Sequence, residues 1–236
     1  ISSDGFSSGI TRREKESNSE NNALPLSYSN LDNLWKDCLG QEIEYNEDHC
    51  LITWVIPDFN QGGGGHLNIF RTIKNIEKCD SIKHQVLIVG QHSKKNKEHA
   101  RSEAKKYFVK TKALVYLHTD AIPQTDVMIA TAWQTAYCVK EQPERITKLY
   151  FVQDYEPLFY PAGSNSQLAA NTYNFGFPAI TAGDWLSEIL SRDYHLKTIS
   201  YNFSYDHYLY YPSKEAQSSF KYDILLYARP HTDRRM

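Results

Sequence analysis

From Leu51 onward, short apolar runs alternate with longer stretches of helical periodicity. "LITWVI" (51–56) carries apolar residues on both faces of a strand, and a helix is expected from Leu67 to Cys79, with Ile69, Ile73 and Ile76 on one side. "QVLIV" (85–89) reads as the second strand. The stretch 96–108 reads as a helix presenting Ala100, Ala104, Tyr107 and Phe108. "ALVYL" (113–117) and "VMIA" (127–130) are two further strands, followed by a helix through Trp133, Ala136 and Tyr137. "LYFV" (149–152), a helix near 166–174, "PAIT" (178–181), a helix over 184–192 and "TISYNF" (198–203) complete the series. Apolar strands alternating with helices predict an α/β fold. The expected sheet is Rossmann-like, open and mostly parallel, with helices on both faces.

Ahead of this pattern, residues 1–24 hold Ser, Asn, Glu, Lys and Arg with almost no large apolar residue, and predict a disordered tail. Residues 25–50 form a helical extension in this reading. Leu31, Leu34, Trp35, Cys38 and Leu39 share one face, between a cap at Asn30 and a stop at Gly40. The main lobe then covers 51–220. A new strand-like run, Asp223 to Tyr227, opens a second lobe over 221–236, and both ends of the chain read as cut.

Composition narrows the function classes. A net charge of −2 and a pI near 6.5 give no global pull toward double-stranded nucleic acid or acidic lipid. The cysteines Cys38, Cys50, Cys79 and Cys138 are scattered without a C-x-x-C pair, so no metal site is expected. Cys79 and Cys138 fall in apolar helical stretches and read as reduced core residues. With no signal peptide and no membrane-length apolar run in view, the chain reads as cytoplasmic.

The candidate chemistry gathers at strand ends. Four of the eleven glycines, Gly62 to Gly65, stand together between the first strand and the first helix. Ligands bind at the carboxyl edge of an open parallel sheet, and a helix N-terminus favours an anion. Glycine lets the backbone approach that anion without a clashing Cβ. The run does not end in the Gly-Lys-Ser/Thr of a Walker loop, because His66-Leu67-Asn68 follow. The second strand closes with Gly90-Gln91-His92 rather than the acid of a dinucleotide fingerprint. A second cluster, "FVQDYEPLFYPAGS" (151–164), sets Gln153, Asp154, Glu156 and Tyr160 on the same edge. Carboxylates and amides beside flat aromatic faces suit a sugar's hydroxyls and C–H faces. His118-Thr119-Asp120 and Asp184-Trp185 point to that edge as well.

"IPDFNQGGGGHLNIFR", "YFVQDYEPLFYPAGS" and "LLYARPHTDRR" together resemble bacterial rhamnosyltransferases that build surface polysaccharides. Those are retaining glycosyltransferases of family 4 with the two-lobed GT-B fold. The resemblance runs from about Leu51 to the end, and "QDYEP…FYP" is its most specific piece. It implies that this chain is the N-terminal, acceptor-side lobe and that "DILLYARP" begins the donor lobe. Gly62, Gly63, Gly64, Gly65 and Arg229 would then lie near the diphosphate of a nucleotide-sugar, with dTDP-L-rhamnose the implied donor. Asp58, Gln153, Asp154, Glu156, Tyr160 and Asp184 would hold the acceptor glycan. A lipid-linked acceptor would bring the chain to the inner face of the membrane. Many relatives carry a His after the fourth strand, where this chain has Thr131 and Trp133. His66, His118 and Asp154 stay open as catalytic candidates.

The transfer implied needs the departing diphosphate stabilised by backbone N–H groups and Arg229, without metal and without a cofactor beyond the substrate. The donor lobe's paired glutamates, E-x7-E, are absent, so the fragment alone is expected to be inactive. A non-catalytic sugar- or nucleotide-binding domain of a larger assembly is the competing reading. A flavodoxin-like domain fits less well, because its hydroxyl-rich phosphate loop is missing.

Overall fold

The computed structural model describes residues 49–120 and 124–202, with isolated positions at 204, 205, 207, 210, 211 and 224. The tail over 1–24, the amphipathic stretch 31–39, the second-lobe segment 221–236 apart from Ile224, and Arg229 lie outside the described residues. Strands and helices alternate, except between the third and fourth strands, where no described residue is helical. β1 (Cys50–Ile56) leads to α1 (Gly64–Ile76), β2 (Ile82–Ile88), α2 (Lys97–Tyr107), β3 (Leu114–Leu117) and β4 (Val127–Ala130). Then come α3 (Trp133–Lys140), β5 (Thr147–Val152), α4 (Ser164–Thr172), β6 (Ala179–Ala182), α5 (Asp184–Tyr194) and β7 (Thr198–Tyr201). Among the described residues the strands form one sheet in the order β3-β2-β1-β4-β5-β6-β7, every adjacent pair parallel.

Side-chain alternation along the central strand divides the core in two. Trp54 and Ile56 join Ile69, Phe70 and Ile73 of α1 and Ala100 and Ala104 of α2. Val55, between them, points the other way, into the layer of Ala136 and Val139 of α3 and Leu186 and Leu190 of α5. A strand apolar on both faces is therefore covered by helices on both faces, as the sequence predicts. Trp54 is fully buried, and its indole donates to His84 Nδ1 of β2 at 3.2 Å.

Two expectations need correction. α1 starts at Gly64, so the last two glycines belong to its first turn rather than to a loop that ends at His66. It stops at Ile76 with Glu77 as its C-cap, which leaves Cys79 in the following turn, exposed, its thiol 3.1 Å from Ser81 Oγ. Cys138 is buried in α3 as expected.

Candidate functional site: the carboxyl edge between β1 and β4

The strand order reverses direction between β1 and β4: the chain runs outward through β2 and β3, then returns to the middle and runs out the other way. At that switch the loops after β1 and β4 diverge and open a crevice beyond the strand ends. The glycine run closes β1 here, Thr131-Ala132 closes β4, and the 153–163 segment leaves β5 next door. Gathering these segments is the work of the fold, since Gln153 and Gly65 stand 88 residues apart and share a hydrogen bond.

Three of the four glycines have a conformational or steric reason in the fold. Gly62 holds φ +86°, a left-handed conformation that glycine adopts freely. A Cβ on Gly63 would lie 3.1 Å from His66 Nδ1, and one on Gly65 would lie 3.4 Å from Gln153 Nε2. Gln153 Nε2 donates to Gly65 O at 3.2 Å, and Gln153 Oε1 accepts from Asn68 Nδ2 at 3.2 Å. Gly64 differs: a Cβ there would meet nothing within 4 Å, and the residue is exposed. The helix has no side-chain cap and no acidic residue in its first turn, so its N-terminal dipole is not neutralised from within.

His66 faces inward. Its Nε2 lies 3.2 Å from Pro57 O, which can only accept, so the neutral ring carries its proton there. The ring packs at 6.0 Å from Phe59 and 6.1 Å from Phe108, and burial pushes its pKa down against the Pro57 bond. His66 thus pins the glycine loop.

Asp58 is held equally firmly. Its Oδ2 accepts from Ser93 N at 2.7 Å and Ser93 Oγ at 3.0 Å, and its Oδ1 accepts from Phe59 N at 2.9 Å. Beside it lies Lys94, whose side chain is 1% exposed. Lys94 Nζ sits 3.3 Å from Asp58 Oδ1 and 2.8 Å from Glu103 Oε2, donates to Phe59 O at 2.6 Å, and lies over the Phe59 ring. The Lys94 bond holds the Glu103 carboxyl below its ordinary range. In the sequence, Lys94 stands in "HSKKNKEH" among other lysines, and nothing local marks it as the buried one.

The β5 segment is similarly engaged. Glu156 opens a short 3-10 turn (Glu156–Phe159), and its Oε2 accepts from Trp133 N, the first residue of α3, at 2.6 Å. The same oxygen accepts from the Tyr150 hydroxyl at 3.2 Å, and burial pushes that phenol well above its ordinary pKa. Tyr160 OH accepts from Trp133 Nε1 at 3.0 Å. At the end of β4, where the resemblance leads one to expect a histidine, Thr131 is buried and donates to Val55 O at 2.8 Å. Asp154 Oδ1 accepts from Tyr155 N at 2.8 Å. Asp184 begins α5, exposed, and accepts from the Ser200 hydroxyl. Next to it, Trp185 is 56% exposed with its ring edge-on to Tyr155 at 6.4 Å. His118 lies after β3 with its ring 5.3 Å from that of His92.

Residues 65–182, half of the chain, match the model of the WsaF N-terminal domain. The chain belongs to this family. It is also 28% identical over 189 residues to the O-antigen biosynthesis protein RfbC of Myxococcus xanthus. That alignment covers 77% of this chain and 14% of RfbC, so the chain spans only a small part of that relative's length. The WsaF N-terminal domain match takes in Gly65, His66, Gln153, Asp154, Glu156 and Tyr160. Gly62, Gly63, Gly64, Asp58 and Asp184 flank it. Among the described residues of this domain no helix is long and apolar enough to cross a membrane.

One half-buried and one buried histidine, His66 and His84, give the domain a pH signature. Burial pushes the pKa of both His66 and His84 below the ordinary value near 6.5. The unfolded chain therefore binds more protons than the fold just below pH 6.5, and stability rises with pH there. The contribution is fully present above about pH 6.5 and is lost on acidification. Between about pH 6.5 and 5, before carboxylates titrate, urea unfolding should show stability falling on acidification, with roughly 1.4 kcal/mol per pH unit as the upper limit for each histidine. His66→Gln should remove its share of the slope, and an unchanged slope would sink the assignment.

Proposed function

We propose that this chain is the acceptor-side lobe of a glycosyltransferase that extends a surface polysaccharide, with L-rhamnose from dTDP-L-rhamnose as the sugar transferred. The observation that carries this reading is the uncapped first turn of α1 at the topological switch point, with Gly64 open to the crevice. Membership of the WsaF N-terminal domain family and a relative named for O-antigen biosynthesis support it. Backbone N–H groups over 64–66 and the α1 dipole would stabilise the charge that grows on the departing diphosphate. Arg229 would add to this from the second lobe. The transfer would proceed with retention of configuration and without a metal ion. On the acceptor side, Asp154 and Asp184 would orient glycan hydroxyls, and the exposed Trp185 face would pack on a sugar ring. Asp58, Gln153, Glu156 and Tyr160 would act through the loops they fix. A lipid-linked acceptor would bring the protein to the inner face of the membrane, in the cytoplasm.

Gly64 is the position to test, because its substitution disturbs nothing in the fold. In the full-length protein, Gly64→Val should leave stability within about 0.5 kcal/mol. It should also weaken binding of dTDP-L-rhamnose at least about tenfold, a loss of roughly 1.4 kcal/mol. Calorimetric titration and single-turnover transfer would measure this. Unchanged donor affinity would refute the close approach. Gly63→Val answers less cleanly, since its Cβ would press on His66.

Two observations favour a second reading, a non-catalytic sugar- or nucleotide-binding domain. The His66 ring is turned to Pro57, and Glu156 caps α3. Full-length protein that binds the donor without turning it over, with any acceptor offered, would decide for that reading.

A further inference from the structure

A cavity of about 290 Å³ opens at the opposite, amino edge of the sheet, where β1, β2 and β3 begin and α1 ends. Leu51, Ile82 and Leu114 supply apolar wall, and Glu77 and His84 supply two buried polar groups. His84 is 7% exposed, and its Nδ1 accepts from the Trp54 indole, so the neutral ring carries its hydrogen on Nε2. That Nε2 is buried and has no hydrogen-bond partner. Glu77 has its side chain 7% exposed. Its Oε1 accepts from the Lys112 and Ala113 amides. Its Oε2 is buried without a hydrogen bond, and Lys74 Nζ stands 3.6 Å away as an ion-pair partner. Buried polar groups are normally satisfied, and leaving one unpaired is costly. Here the two side chains that carry an unpaired donor and an acceptor without a hydrogen bond belong to the wall of the same cavity.

We infer that this cavity is a second ligand site, built for a neutral hydroxyl-bearing molecule of single-sugar size. A hydroxyl can accept from His84 Nε2–H and a hydroxyl can donate to Glu77 Oε2, so a polyol supplies both partners. An anion would meet the Glu77 carboxylate. A metal ion would find His84 Nε2 protonated, its other nitrogen being held by Trp54. The volume stands at the lower end for ligand pockets, enough for one ring rather than an extended glycan or a nucleotide. The site lies at the other end of the strands from the crevice between β1 and β4, and it does not rest on the function proposed for that crevice.

The test is an NMR titration of the full chain with methyl α-L-rhamnoside, methyl α-D-glucoside and, separately, acetamide. A glycoside should bind with a dissociation constant of about 1 mM. It should shift the amides of Ile82, His84 and Leu114 and move the His84 Nε2 proton signal downfield. Glu77→Gln keeps an acceptor for the Lys112 and Ala113 amides but can place a donor where Oε2 accepts, and should weaken the glycoside at least tenfold. His84→Gln should do the same if Glu77→Gln proves unstable. Shifts confined to the carboxyl edge, no shift with either glycoside, or binding of acetamide alone would overturn the proposal. So would full affinity in both variants.

Discussion

Lys94→Met should cost the domain about 3 kcal/mol, one of the largest effects expected from any single side chain outside the apolar core. The ammonium is 1% exposed, while its partners Asp58 and Glu103 keep 20% and 22% of their side-chain surface. Breaking a buried pair by removing one member costs about 3–5 kcal/mol, because the remaining charge is left without compensation. Partial solvation of the two carboxylates places the expectation at the low end. Methionine keeps most of the volume, so the loss reports charge and hydrogen bonding rather than a void. Glu103→Gln in the Lys94→Met background should recover part of it, with a coupling energy above about 1 kcal/mol in the double-mutant cycle. The functional consequence follows from geometry. Lys94 bonds Phe59 O and Asp58, and Asp58 ties β1's exit to Ser93. Without it the segment that leads into Gly62 loses its anchor, and under the proposed function donor affinity would fall along with stability. A loss below about 1 kcal/mol in urea unfolding would show the ammonium to be solvated in solution.

The strands were legible because burial on both faces leaves a continuous apolar run that few loops imitate. Val127–Ala130 has the bounds that the sequence predicts, and the other strands differ by a few residues at their ends. The start of α1 was harder. Glycine is a poor helix former, so propensity places Gly64 and Gly65 outside a helix that in fact begins with them. Cys79 misled in the opposite way, its place after Ile69, Ile73 and Ile76 suggesting burial beyond the helix's true end. At the candidate site, the sequence picked out segments that the fold brings to one edge, but not the bonds that each side chain makes there. Asp58 and Asp154 look alike in the chain, and each accepts from the amide of the next residue, yet Asp58 also gives its Oδ2 to Ser93 in the β2–α2 connection. That difference depends on Ser93, 35 residues away, and no local pattern carries it. Lys94 was invisible for the same reason. Local sequence predicts which residues reach a strand end, whereas strand order decides which of them meet.

Glu156→Ala should lose about 3 kcal/mol, and the graded series Glu, Gln, Ala separates a structural role from a ligand-binding one. The carboxylate does two things at once in the fold. It accepts from Trp133 N at the start of α3, where a negative charge meets the helix dipole, a combination worth about 1 kcal/mol. It also satisfies the hydroxyl of Tyr150, which is 1% exposed and has Thr172 Oγ1, at 3.4 Å, as its other neighbour. Leaving that hydroxyl short of an acceptor adds about 1–2 kcal/mol. Gln at this position keeps an oxygen that can accept but loses the charge, so its cost should be near 1 kcal/mol. Were Glu156 an acceptor-binding residue instead, Gln and Ala would both leave unfolding unchanged and both weaken glycan binding. The structural role predicts the reverse ordering, with stability falling in steps and acceptor affinity of the folded Gln variant almost intact. Trp133 adds a direct readout. Its ring meets Tyr160 edge-on at 6.1 Å and donates to that hydroxyl. Loosening the first turn of α3 should therefore alter tryptophan fluorescence in the Ala variant before global unfolding. That turn forms the β4 side of the crevice, so in its structural role Glu156 would set the width of the site through α3.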